Sequence, residues 1–416
     1  MNKDLSVETI NRAAINLAGI VKLTPIELSK RLSDKYSAKI YFKREDLQEV
    51  RSYKIRGAYN LMSGLTKEEK KRGVVCASAG NHAQGVAYSA SKLKIKAVIF
   101  MPTVTPLQKI NKVKSFGGKF VEIKLEGANY DESSKSAKEF CKKEMSVFVH
   151  PFNDYRVMSG QGTVGKEIFE YFGTDLDYIL VPIGGGGLIS GVGTYIKSKS
   201  SKTKIIGIEP LGAASMNASV KAGKIVSLEK LDTFADGVAV RTVEDKTFEI
   251  VKKLIFDFII VPEGKICTTM IELYQNEGIV AEPAGALSIA ALDFLKEKIA
   301  GKSVVCILSG GNNDIMRYPE VLEKSLTYEG LKHYFLINFA QKPGQLKRLV
   351  DSCLGPTDDI VRFEYIKKTS KEMGPALVGI ELTKKENLKT LLGKMDKAEI
   401  NYTKITSSDL LYSYLI

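Results

Sequence analysis

Tryptophan is absent from the 416 residues, and histidine and cysteine are scarce, at three and five. His82, His150 and His333 stand far apart and give no metal-binding spacing, so no metal centre is expected from them. Cys76, Cys141, Cys267, Cys306 and Cys353 are odd in number, dispersed and never paired as Cys-x-x-Cys. That argues against a disulfide framework and against a thiolate zinc site. Cys76 and Cys306 fall inside apolar runs, where a thiol acts as a small inert hydrophobe. No apolar run approaches the ~20 residues that a membrane span needs. The start, "MNKDLSVETINRAAIN", lacks a basic stretch followed by an apolar core, so no secretory signal and a cytoplasmic location are expected. A phosphate-binding G-x-x-x-x-G-K-[ST] loop is missing as well. Acidic residues are the deficient charge, 48 against 61 basic, for a net charge of +13. The densest basic run, "KSKSSKTK" (197–204), has no aromatics to stack on bases, so a solvated lysine-rich surface is expected and no nucleic-acid partner. The excess still helps to attract small anions.

What is present is a globular balance, 44% hydrophobic and 26% charged, in a chain long enough for two or three domains. From about residue 73 to 210, β-branched runs alternate with helical periodicity: 73–77, 96–102, 119–124, 147–151, 177–183 and 204–210, with a further strand at 303–309. "FIIVP" and "AGALSIAALDFL" read as buried strand and helix. One helix is especially legible, "TPLQKINKVKSFGG", with Thr105 expected as N-cap and Pro106 as its first helical residue. Such alternation predicts an α/β body with parallel sheets covered on both faces and ligands beyond the carboxyl ends of the strands. After about 325 the pattern becomes β–α–β–β–α–β, the order of a ferredoxin-like sandwich. The predicted division is a catalytic body over 1–322, with a smaller lobe at about 73–150, and a second module over 323–416.

Three glycine-bearing loops follow strand-like runs: "SAGNH" (78–82), "GGGGL" (184–188) and "SGGNN" (309–313). Turns from a strand into a helix expose backbone N–H groups that favour an anion. Four consecutive glycines are the strongest signal, since a backbone without Cβ atoms lets a phosphate approach and takes positive φ. Gly185-x-Gly187-x-x-Ser190 comes near the dinucleotide fingerprint, with Glu209 ending a strand where a ribose-binding acid would sit. Serine in the third glycine's place departs from that pattern, which also leaves Lys54 and the other loops without a role. A phosphate cradle with a lysine suits instead a phosphorylated aldehyde, pyridoxal 5'-phosphate, which needs one lysine, a phosphate site and a partner for its ring nitrogen.

"SYKIRGA" around Lys54, "SAGNHAQG" (78–85), "GGGGLISG" (184–191), "EPAGA" (282–286) and "SGGNN" occur in the order found in the tryptophan-synthase-β-like pyridoxal enzymes. The chain resembles most the threonine/serine dehydratases of that family over roughly 15 to 315, and its tail resembles their ACT-like regulatory domain. The resemblance implies a two-lobed fold type II body and a small α+β tail. It implies that Lys54 carries the cofactor as an aldimine, that Tyr53 packs beside the ring and that Asn81 bonds the ring hydroxyl. Gly184, Gly185, Gly186, Gly187 and Leu188 would hold the phosphate through their amides, and Ser309 would face the ring nitrogen. Ser78, Ala79, Gly80, Asn81 and His82 would receive the substrate carboxylate, with Glu282 near the cofactor in no assigned role. A hydroxyl rather than a carboxylate at the ring nitrogen favours elimination over transamination, with the freed Lys54 amine as the base.

Two departures refine this expectation. Racemases of the family carry a serine directly before the Gly-Asn-His, where this chain has Ala79, so racemisation is not expected. Those relatives bind a divalent metal through two acids six residues apart. Here Glu209 is followed by Ser215, so no required metal is expected. The expected activity is conversion of L-threonine to 2-oxobutanoate and ammonia, for isoleucine synthesis, in a homotetramer inhibited by isoleucine near Pro343-Gly344. A serine-preferring dehydratase, a β-replacement enzyme and an amino-acid sensor are the alternatives.

Overall fold

A computed structural model describes residues 4–366, 372–406 and 409–415. They form two compact units, 1–263 with 272–313, and 264–271 with 314–416.

The first unit is built on two sheets. In the larger, the strands run in the order Ile26–Leu28, Lys39–Arg44, Ser303–Leu308, Tyr178–Pro182, Lys204–Pro210 and Asp257–Val261. Only the first pair is antiparallel. Tyr178–Pro182 is buried at every position, as a continuous apolar run between two helical layers requires. The smaller sheet orders Val121–Leu125, Ala97–Met101, Val74–Ala77 and Val147–Phe148, all parallel. Each sheet has its own core, one around Val74, Cys76, Ile99 and Val113, the other around Ile179, Val181, Ile189 and Val305. The three glycine-bearing loops all leave the carboxyl ends of strands: Ser78 follows Val74–Ala77, Gly184 follows Tyr178–Pro182 and Ser309 follows Ser303–Leu308.

Several boundaries differ from expectation, two of them with a cause visible in the side chains. The helix foreseen from Pro106 begins one residue later, as Leu107–Gly117, with extended Pro106 as its N-cap residue. The Thr105 hydroxyl is turned back to the Pro102 carbonyl at 2.7 Å and caps nothing. The strand foreseen to 151 stops at Phe148, because the chain turns at His150.

Beneath the helix Lys54–Ser63 lies an ionic cluster in which Arg56, Lys43 and Glu45 are wholly buried and Glu167 is mostly so. Arg56 pairs with Glu45 at 2.8 Å and with Glu167 at 2.6 Å, and Glu167 also takes Lys43 at 2.5 Å. Thr163 and Thr24 complete it by hydrogen bonds to Arg56 and Glu45.

The second unit carries Lys332–Ala340, helix Gln345–Cys353, Asp359–Tyr365, Met373–Glu381, helix Asn387–Lys397 and Asn401–Ile405. Its antiparallel sheet has the order Asp359–Tyr365, Met373–Glu381, Lys332–Ala340, Asn401–Ile405, the ferredoxin-like arrangement. Phe335, Ile337, Leu349, Val378, Ile380, Leu391 and Met395 make its core.

Candidate active site

Lys54 is the first residue of the helix Lys54–Ser63, and the segment before it is stitched to the third glycine loop. Tyr53 N–H donates to the Ser309 carbonyl at 3.2 Å and Gly311 N–H to the Arg51 carbonyl at 2.9 Å. The Lys54 amine reaches inward, donates to the Pro151 carbonyl at 3.2 Å and lies 5.4 Å from the Tyr53 ring centroid. Loss of hydration pulls its pKa down to about 8, with the Glu282 carboxylate opposing the shift. Burial likewise raises the Tyr53 phenol above its ordinary value.

Asn81 opens the helix Asn81–Leu93 and its amide is gripped from both sides. Its Nδ2 donates to Glu282 at 2.7 Å, and its Oδ1 accepts from Asn312 at 2.7 Å. Burial pushes the Glu282 carboxyl up to about 7, and the Asp236 charge adds to the rise against the bond from Asn81. Gly310 has no room for a Cβ, which would stand 2.3 Å from Glu282 Oε1.

The tetraglycine turn enters the helix Gly187–Lys199 with Gly186 at φ +86°, a left-handed conformation that disfavours any side chain. A Cβ on Gly185 would lie 2.2 Å from Phe152, so this ring is seated directly on the turn. Among the described residues, none of the N–H groups of Gly184, Gly185, Gly186, Gly187 and Leu188 donates to a protein acceptor. Five successive uncommitted donors at a mostly buried helix start fit a phosphate. Leu188 also sends its side chain into the core of the larger sheet.

In the first glycine loop Ser78 Oγ accepts from Gly80 N–H at 3.1 Å, and Ala79 packs on the core of the smaller sheet. The N–H groups of Ala79, Asn81 and His82 have no protein acceptor among the described residues, which suits a carboxylate at this helix end. The His82 side chain turns away to the Val149 carbonyl at 2.8 Å. Burial, then the nearby Lys54 charge, holds it down to about 3, so the ring is neutral. Ser309 is buried and its hydroxyl donates to the Ala284 carbonyl at 3.1 Å.

Glu209 stands apart from these loops, with its oxygens accepting from Met216 N–H at 2.9 Å and Asn217 N–H at 2.7 Å. Burial pushes its pKa up to about 8. No group of three or more potential His, Cys, Asp or Glu ligands occurs among the described residues.

Two segments here were not foreseen. His150-Pro151-Phe152-Asn153 touches both Lys54 and the tetraglycine turn, and it follows a strand as the glycine loops do but contains no glycine to mark it. Asp236-Gly237-Val238 lies against Gly184, where a Cβ would meet Val238 Cα at 2.9 Å, and Asp236 pairs with Lys109 at 2.6 Å. Its Asp-Gly pair resembles an ordinary turn in sequence.

A lysine amine near neutrality, uncommitted amides at a glycine turn and a buried hydroxyl form a donor set that fits pyridoxal phosphate. A family model for pyridoxal-phosphate-dependent enzymes matches residues 17–310. A second, for the C-terminal regulatory domain of threonine dehydratase, matches residues 323–415. The biosynthetic L-threonine dehydratase of Halalkalibacterium halodurans is 52% identical over 412 residues, covering 99% of each chain. That of Bacillus subtilis is 50% identical, covering 100% of this chain and 98% of its own. Among solved structures, the processed threonine deaminase isoform 2 of Solanum lycopersicum matches with a TM-score of 0.72 at 39% identity, covering 78% of this chain and 96% of that one. Maize serine racemase matches with a TM-score of 0.71 at 34% identity, covering 78% and 98%. Matched by the first model over most of its length and by the second behind it, the chain belongs to the pyridoxal-phosphate-dependent enzymes, in the branch that carries the threonine-dehydratase regulatory domain.

Proposed function

We propose that this enzyme eliminates water from L-threonine and releases 2-oxobutanoate and ammonia, the entry step to isoleucine. The observation that carries this reading is the Lys54 amine, held at a pKa of about 8 beside a phosphate-ready glycine turn and a buried serine. When bound, pyridoxal phosphate supplies an aldehyde for the substrate amine and an electron-withdrawing ring that acidifies the Cα proton.

The protein's own part is positional and protolytic. Lys54 would hold the cofactor and, as a free amine, would take the substrate's Cα proton as a base. The amides of Gly184 to Leu188 fix the phosphate end. Ala79, Asn81 and His82 offer N–H groups to the substrate carboxylate, which orients the Cα–H bond. Asn81 would meet the cofactor's ring hydroxyl, while Ser309, bearing no charge, would meet the ring nitrogen. The hydroxyl leaves as water, and one water is taken up when the nitrogen departs as ammonia.

The working division is a catalytic body over 1–322 and a regulatory module over 323–416, assembled as a cytoplasmic homotetramer. No helix among the described residues is long and apolar enough to cross a membrane. For the effector we propose isoleucine in a cavity of about 250 Å³ lined by Phe339, Lys342, Gly344, Gln345, Phe363 and Tyr365. Three aromatic rings suit an aliphatic side chain, and Lys342 with the start of the helix Gln345–Cys353 suits a carboxylate.

The test is product analysis with threonine and with serine on the pyridoxal-phosphate-loaded enzyme. Threonine is expected to be turned over with the higher kcat/KM, and Lys54→Ala to lose at least about a thousandfold in kcat. Borohydride reduction and peptide mapping are expected to label Lys54. A label elsewhere, or turnover surviving in Lys54→Ala, defeats the assignment.

A further inference from the structure

The turn His150–Asn153 does more than link a strand to the helix Tyr155–Phe172. Its peptide carbonyl at Pro151 holds the Lys54 amine at 3.2 Å, and its Phe152 lies against Gly185 with the ring and against Gly187 with the Cβ and backbone. The turn is closed by a side chain: His150 Nδ1 accepts the N–H of Phe152 at 3.2 Å and that of Asn153 at 2.8 Å. With Nδ1 accepting twice, the ring proton resides on Nε2, which faces Glu244 Oε1 at 3.0 Å. Glu244 Oε2 in turn takes Asn153 Nδ2 at 2.8 Å, and the same amide nitrogen reaches Asp245 at 2.8 Å. The His150 ring also meets the Phe152 ring edge-on at 4.8 Å. One imidazole therefore ties the place of the Lys54 amine to the place of the phosphate turn.

We infer that His150 is a positioning residue, closing the turn whose Pro151 carbonyl holds the Lys54 amine and whose Phe152 ring is seated on the tetraglycine loop. The inference rests on the reading of Lys54 and that loop as the cofactor site. The role needs Nδ1 as the acceptor of both N–H groups, with Nε2 facing Glu244. Nothing in the role requires His150 to touch substrate or cofactor.

Two variants separate positioning from bulk. His150→Phe keeps a ring of similar size but accepts no hydrogen bond. His150→Asn restores a side-chain oxygen that can accept from the N–H groups two and three residues on, as in an Asx turn. Apoenzyme titrated with pyridoxal phosphate and followed by absorbance is expected to bind about tenfold more weakly in His150→Phe, and to return to within about threefold of wild type in His150→Asn. The kcat for threonine is expected to fall with the affinity while KM changes by less than about twofold, because the amine is misplaced rather than the substrate pocket altered. Wild-type affinity and kcat in His150→Phe overturn the inference. So does a folded His150→Asn, checked by circular dichroism, that shows no rescue. A wild-type protein that binds no pyridoxal phosphate overturns the cofactor site itself, and that result appears before either variant is compared.

Discussion

Lys54 and Glu282 are an amine and a carboxyl group moved toward neutrality by the same loss of hydration. Burial lowers the lysine to about 8 and raises the glutamate to about 7. The Glu282 charge works against the lysine's shift, while on Glu282 itself the bond from Asn81 and the Lys109 charge oppose the rise. Only the unprotonated amine attacks an aldehyde. The rate at which apoenzyme captures pyridoxal phosphate is therefore expected to rise about tenfold per pH unit below about 8 and to level off above it. Glu282→Gln removes the charge that holds the lysine pKa up, so the plateau should be reached at lower pH in that variant. Stopped-flow absorbance across pH 6 to 10 reads both curves. Coincident curves, or a shift toward higher pH, would show that Glu282 does not act on the Lys54 amine. The gripped amide of Asn81 is a second reading of the same carboxyl group, since Glu282 Oε1 is its acceptor at 2.7 Å.

At the scale of elements, the helix that begins with Lys54 is anchored by a charge rather than by its apolar face alone. Arg56 is wholly buried and is met by two carboxylates and a threonine hydroxyl. Arg56→Met leaves the buried Glu45 and the mostly buried Glu167 with less compensation. Removing one member of such a cluster costs about 3–5 kcal/mol, which chemical denaturation of the apoprotein would register as a lower midpoint. A midpoint within about 0.5 kcal/mol of wild type would mean that water or Lys43 takes over the neutralisation. The sequence shows why some of this was legible and some was not. Strands that end in glycine turns announce themselves by local composition, and the three loops lie where strand-to-helix turns place them. The tail's β–α–β–β–α–β order was likewise readable, since each of its elements carries its own period. Partnerships across long separations leave no such mark. The charged segment "KREDLQ" (43–48) carries no sign of burial in its own composition, yet Lys43 and Glu45 are buried because their partners include Glu167 and Arg56. The strand expected through His150 fails for the opposite reason, a side chain capturing local N–H groups that a ladder would otherwise take.

For the whole molecule the question is how a second, separately cored unit affects chemistry at Lys54. Coupling between two sites is a free energy, and it is reciprocal: if isoleucine weakens threonine binding by some factor, threonine weakens isoleucine binding by the same factor. In the regulatory unit the rings of Phe339, Phe363 and Tyr365 stand 5.9 to 6.3 Å apart around the proposed effector cavity. Phe363→Ala removes one wall of that cavity, in the compact unit that does not carry the catalytic loops. It is expected to weaken isoleucine inhibition by about tenfold or more, as loss of a buried aromatic anchor does, while kcat without isoleucine stays within about twofold of wild type. Calorimetric titration of isoleucine, with and without a threonine analogue that is not turned over, measures the coupling directly. A typical coupling of about 1–3 kcal/mol corresponds to a change of about 5- to 150-fold in affinity. Undiminished inhibition in Phe363→Ala would place the effector elsewhere. An isoleucine affinity indifferent to the analogue would mean that the regulatory unit does not report to Lys54 through binding at all.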